Sequence, residues 1–113
     1  MDPSERDWKL LRKLAPVALE RFCERVLTEA ARIANAPSQT SHVRYLELYR
    51  FLQAQDRDLA SAFDDRRRST ALVKLAWICS LGLLTEEEYG GFSEEARDAV
   101  SILAPKGSRR RVS

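Results

Sequence analysis

From Trp8 to Leu103 the apolar residues recur at three- and four-residue spacing, and no stretch alternates apolar with polar as a half-buried strand would. Glycine and proline supply only four residues each. This pattern predicts an all-α chain, a small bundle of about five helices. Two would be long and antiparallel, one central and apolar, with short helices at the N- and C-terminal ends.

The end signals divide the chain. Ser4 is a favourable N-cap with Asp7 three residues on, starting a helix through Trp8, Leu11, Leu14 and Ala15. Pro16 then either kinks that helix or opens the next one at its first position. From Val17 to Ala34, one face carries Leu19, Phe22, Cys23, Val26, Ala30 and Ile33. The other carries Glu20, Arg21, Glu24, Arg25, Glu29 and Arg32, a lattice of solvated ion pairs worth ~0.2 to 0.5 kcal/mol each. Asn35-Ala36-Pro37-Ser38 is a breaker with a cap. The next helix is expected from Gln39 to about Ala62. Its seam is Tyr45, Leu48, Leu52, Gln55, Leu59 and Ala62, with Val43, Leu46, Tyr49 and Phe51 as a second stripe.

Asp64-Asp65 is read as the cap of the most apolar segment, Leu72 to Leu81, which ends at Gly82 in a left-handed C-cap. Thr85-x-x-Glu88 is a capping box opening a short helix that stops at Gly90-Gly91, and Ser93 caps a final helix through Ala96, Val100 and Leu103. The expected core is Trp77, Ile78, Leu72 and Leu75 against Phe22, Val26, Leu48 and Leu52. Residues 1–105 form one domain, and 106–113 read as a basic disordered tail.

A chain of 113 residues holds a core without staples, and two cysteines, Cys23 and Cys79, make no disulfide framework. Both fall on apolar helix faces as buried thiols. The N-terminal stretch lacks the apolar run of a signal peptide, and Lys74 and Ser80 interrupt the most apolar segment well short of a membrane span. These features predict a cytoplasmic protein. Arginine outnumbers lysine fifteen to four and alanine is abundant, a bias that fits GC-rich coding and a bacterial source.

No nucleophile–base pair, metal-ligand spacing, glycine-rich phosphate loop or Gly-x-Ser-x-Gly motif appears, and His42 is the one histidine. Asp56, Asp58, Asp64 and Asp65 do not match an EF-hand loop. The expectation is a protein without catalytic activity, cofactor or metal.

Net charge is +2, while Lys106, Arg109, Arg110 and Arg111 contribute +4, leaving −2 for residues 1–105. Arg66, Arg67 and Arg68, read as the first turn of the central helix, oppose its macrodipole at ~0.3 to 1 kcal/mol each. Either acidic neighbours such as Asp64, Asp65 and Glu86 to Glu88 neutralise them, or they form a patch for phosphate or an acidic partner. The tail arginines Arg109, Arg110 and Arg111 belong to the same candidate patch.

The stretch Leu81-Gly82-Leu83-Leu84-Thr85-Glu86-Glu87-Glu88-Tyr89 resembles the second half of the short C-terminal oligomerisation motif called SHOCT. In that family an apolar helix, a Gly-Leu-hydrophobic link and an acidic, aromatic helix start recur. Gly90-Gly91-Phe92-Ser93 departs from the family's unbroken basic helix. The resemblance implies protein association rather than catalysis.

Wide apolar arcs on two helices exceed what a small bundle covers, which favours a homodimer or small adaptor. The candidate interface residues are Trp8, Leu11, Tyr45, Tyr49 and Phe63. The alternative is a nucleic-acid-associated regulator in which the arginine run and tail contact phosphates.

Overall fold

The computed structural model describes residues 2–65 and 67–104. Among these the chain is all-helical: α1 (Glu5–Ala34), α2 (Ser41–Phe63), a 3₁₀ turn (Arg68–Thr70), α3 (Ala71–Ser80), α4 (Glu86–Gly90) and α5 (Glu94–Leu103). No helix among the described residues is long and apolar enough to cross a membrane. The tail residues 106–113 and Arg66 lie outside the described residues.

The helix ends are built as the local signals dictate. The Ser4 hydroxyl accepts from the Asp7 amide at 3.1 Å. Thr85 and Glu88 cap each other's amides at 3.0 and 2.9 Å. Ser93 accepts from the Ala96 amide at 3.1 Å. At the end of α3, Gly82 sits at φ 70°, its amide donating to Cys79 at 3.0 Å while the Leu83 amide donates to Ile78 at 3.2 Å. That double closure is a Schellman motif, and its apolar pair, Ile78 and Leu83, is fully buried.

Pro16 neither starts a helix nor ends one, because α1 runs through it for 30 residues. Proline inside a helix removes one hydrogen bond, to the Arg12 carbonyl, and costs about 3 kcal/mol. Leu14, Ala15 and Ala18, all buried, bracket the site, and their packing offsets that loss. The supposed short N-terminal helix is thus the first third of α1. At 1.5 Å per residue α1 is about 45 Å long, close to the molecule's 52 Å long dimension.

The core occupies one end. Leu11, Leu14, Ala18 and Phe22 of α1 meet Leu72, Leu75 and Ile78 of α3, with Leu83, Phe92, Ala96 and Val100 closing over them. Phe22 and Phe63 tilt against one another with centroids 6.2 Å apart. Trp77 and Val26 pack at the margin. Leu48 and Leu52 are not part of this core, contrary to the sequence reading. They lie farther along α2, outside the buried cluster, and Leu52 is 40% exposed.

α2 is capped by Thr40, whose hydroxyl accepts from the Val43 amide at 3.1 Å, and starts at Ser41 rather than at the expected Gln39. It continues unbroken to Phe63 yet buries only Ala62 and Phe63 fully. At the tip of the hairpin, Arg44 donates to the Ala34 carbonyl at 2.7 Å. The outer part of the hairpin, beyond Val26 of α1 and before Leu59 of α2, therefore projects from the core as two helices with no third layer among the described residues.

Candidate interaction surface

Tyr45, Tyr49 and Leu52 stand at i, i+4 and i+7 on α2, so they form one stripe, with exposures of 66%, 54% and 40%. Gln53 donates to the Tyr49 hydroxyl at 3.0 Å, fixing that ring against the helix surface. Leu27 of α1, 68% exposed, lies between the Ala34–Arg44 and Phe22–Phe63 contacts, hence level with the middle of α2. Three large side chains this exposed in one row on a projecting helix, Tyr45, Tyr49 and Leu52, are uncommon on a solitary surface.

The other expected interface residues divide differently. Leu11 and Phe63 are each 8% exposed and belong to the intramolecular core, which removes them from a surface open to a partner. Trp8 is half-buried against the core, flanked by the guanidinium groups of Arg12 and Arg68 at 6.0 and 5.8 Å from its ring centre. The sequence reading missed Leu27 and placed Leu52 inside. Periodicity finds an apolar arc but not which part of it a neighbour covers. Leu27's position beside Val26, off the main α1 face, was the available signal.

The arginine run does not open α3. Asp64 closes α2, its amide donating to Ala60 at 3.0 Å, and Asp65 turns the chain through the left-handed region at φ 58°, a conformation aspartate tolerates. Arg67 precedes the 3₁₀ turn and grips Asp65 with bonds of 2.6 and 2.8 Å. Arg68 pairs with Glu5 of α1. These two cations are thus held by Asp65 and Glu5, not by Glu86 to Glu88, and they lie outside the α-helical first turn in which the dipole penalty was expected. Hydrogen bonding to the arginines holds both carboxyls below their ordinary values. Arg66 and Arg109 to Arg111 lie outside the described residues.

The charged face of α1 is also more than a solvated lattice. Arg21 clasps Glu88 bidentately at 2.7 and 3.0 Å and donates to the Leu83 carbonyl at 2.8 Å. Arg25 donates to Leu81 and Gly82 at 2.9 and 2.7 Å. Two cations one turn apart therefore gather the carbonyls at the negative end of α3. The Arg21 hydrogen bonds push the Glu88 carboxyl down to about 2.

Asp7 shows the greatest departure from a local reading. It is 2% exposed, and its carboxylate accepts from the Ser4 hydroxyl at 3.0 Å, the Ser93 amide at 2.9 Å and the Ser93 hydroxyl at 2.5 Å. Burial pushes its pKa up, but the Ser93 and Ser4 hydrogen bonds outweigh that and hold it below the ordinary value. A residue of the first turn of α1 thus tethers the N-cap of α5.

No group of three His, Cys, Asp or Glu side chains among the described residues is arranged to hold a metal ion. No disulfide joins Cys23 and Cys79, both half-buried. Compared with known proteins, the chain matches no family model, no curated protein and no solved structure. The resemblance of Leu81 to Tyr89 to an oligomerisation motif therefore rests on those residues alone, and here they are a Schellman motif followed directly by a capping box.

Proposed function

We propose that the protein acts by association, forming a homodimer through the exposed stripe of α2. The observation that carries this reading is the row Tyr45, Tyr49, Leu52 on the outer part of a hairpin that, among the described residues, has no third layer. Two such hairpins, stacked face to face about a two-fold axis, make a four-helix arrangement of ordinary type and bury the stripe on both copies. An antiparallel pairing centred between Tyr49 and Leu52 sets each Tyr45 opposite Asp56 of the other copy, where its hydroxyl has a carboxylate to donate to. Aromatic side chains with a polar tip suit such a position, since they bring large contact area at small entropic cost.

The nucleic-acid alternative has less to support it. Arg67 and Arg68 are each engaged by a carboxylate, and a phosphate would have to displace Asp65 or Glu5 to reach them.

The test is light scattering coupled to size-exclusion chromatography over a range of protein concentrations. The expected result is a dimer that persists at high salt and becomes monomeric in Tyr49→Glu and Leu52→Glu. A monomer at every concentration, or a dimer indifferent to both substitutions, refutes this use of α2.

A further inference from the structure

At the foot of the hairpin, where α1, the end of α2 and α3 converge, lies a part-open cavity of about 360 Å³. Its floor includes Ala15, Ala62 and Ala71, each no more than 3% exposed. Three alanines contributed by three helices leave the space that larger side chains would fill, and Leu11 and Ile78 complete an apolar base. The volume falls within the range of small-molecule sites, about 300 to 1,000 Å³.

The rim has one sign of charge. Arg12, Arg67 and Lys74 line it, and among the described residues no carboxylate does. Arg12 stacks on Trp8 and makes no ion pair among the described residues. Lys74 donates to the Ser61 and Ala60 carbonyls at 2.8 and 3.5 Å, which leaves one donor on its ammonium group. Only Arg67 has a carboxylate partner, Asp65. Pro16, also on the lining, has no N–H to offer the Arg12 carbonyl, so that acceptor stands without its helical partner beside the cavity.

An apolar floor below a cationic rim, on which Arg12 and Lys74 hold no direct ion pair among the described residues, calls for a ligand of matching polarity. We infer that this cavity binds a small organic anion with an apolar body, a medium-chain carboxylate. Its head is received by Arg12 and Lys74, and its chain lies over the alanine floor beside Trp8. A cation of the same shape meets three like charges, and a bare inorganic anion makes no apolar contact with Trp8.

Octanoate, octylammonium and inorganic phosphate serve as the three probes in titrations of the ¹⁵N-labelled protein followed by amide and indole resonances. The expected result is saturable shifts with octanoate centred on Trp8, Arg12, Ala15, Ala71 and Ile78, with octylammonium and phosphate producing none there. Arg12→Gln should weaken octanoate about tenfold and Arg12→Glu further, whereas Arg50→Glu, the same charge reversal on exposed α2, should leave it unchanged. Arg12 is exposed, so these substitutions leave the core untouched. Equal shifts with octanoate and octylammonium, shifts confined to residues 45–52, no shifts, or equal affinities in the Arg12 and Arg50 variants would each overturn the proposal.

Discussion

The two ends of this molecule are built on opposite terms. At one end α3, α4, α5 and α1 as far as Val26 share a dense core, and the α5 N-terminus and the α3 C-terminus are tied to α1 by the Asp7, Arg21 and Arg25 hydrogen bonds. At the other, α1 beyond Val26 and α2 before Leu59 supply no side chain to that core among the described residues, and α2 fully buries just its last two residues. Helices in water take most of their stability from burial of an apolar face. The projecting hairpin therefore depends on its mate helix, and on whatever covers Tyr45, Tyr49 and Leu52. Well-formed secondary structure is thus a poor guide to where stability resides in this chain.

The largest expected effect belongs to the core end. Leu75→Ala or Ile78→Ala, at positions 1% exposed, should lower unfolding free energy by about 2 to 5 kcal/mol in chemical denaturation. Equal losses from Leu52→Ala, measured on the monomer, would erase the contrast between the two ends.

Next in size is the Asp7 tether. Asp7→Ala leaves the Ser93 amide and hydroxyl and the Ser4 hydroxyl without their acceptor and should lose about 1 to 3 kcal/mol. Acid titration sharpens this. Asp7 and Glu88 both have folded pKa values below their ordinary ones, so the stability each contributes is fully present above its unfolded value. It is lost as the pH falls through the folded value, for Glu88 between 4.5 and about 2. Glu88→Gln should therefore flatten the acid limb of the stability curve in that window, and an unchanged limb would show that the Arg21 clasp contributes nothing.

Much of the core end was legible in the sequence because its devices are local. Ser4, Gly82, the Thr85–Glu88 box and Ser93 are all recognised within four residues and are found where expected. The rest depends on distant groups. Asp7 and Ser93 are 86 residues apart, and no short-range rule links them. Pro16 looked like a boundary because local propensity cannot weigh the burial of its neighbours. The arginine run was assigned to a helical first turn, yet a left-handed Asp65 and a 3₁₀ turn intervene. The stripe on α2 was visible as periodicity, but its exposure was not.

Smaller effects mark the boundary between the ends. Gly82→Ala forces a side chain into the left-handed region and should cost about 1 kcal/mol by thermal denaturation. Tyr45→Ala, in the same assay on the monomer, should fall within about 0.5 kcal/mol of the parent, as exposed positions do.

The comparison is decided most directly by amide hydrogen exchange on α2 and α3 as protein concentration is raised. If the hairpin is an interface, protection across residues 45–55 increases with concentration, and α3 stays protected even when dilute. Protection of α2 that is already high in dilute protein and does not change with concentration would contradict the account.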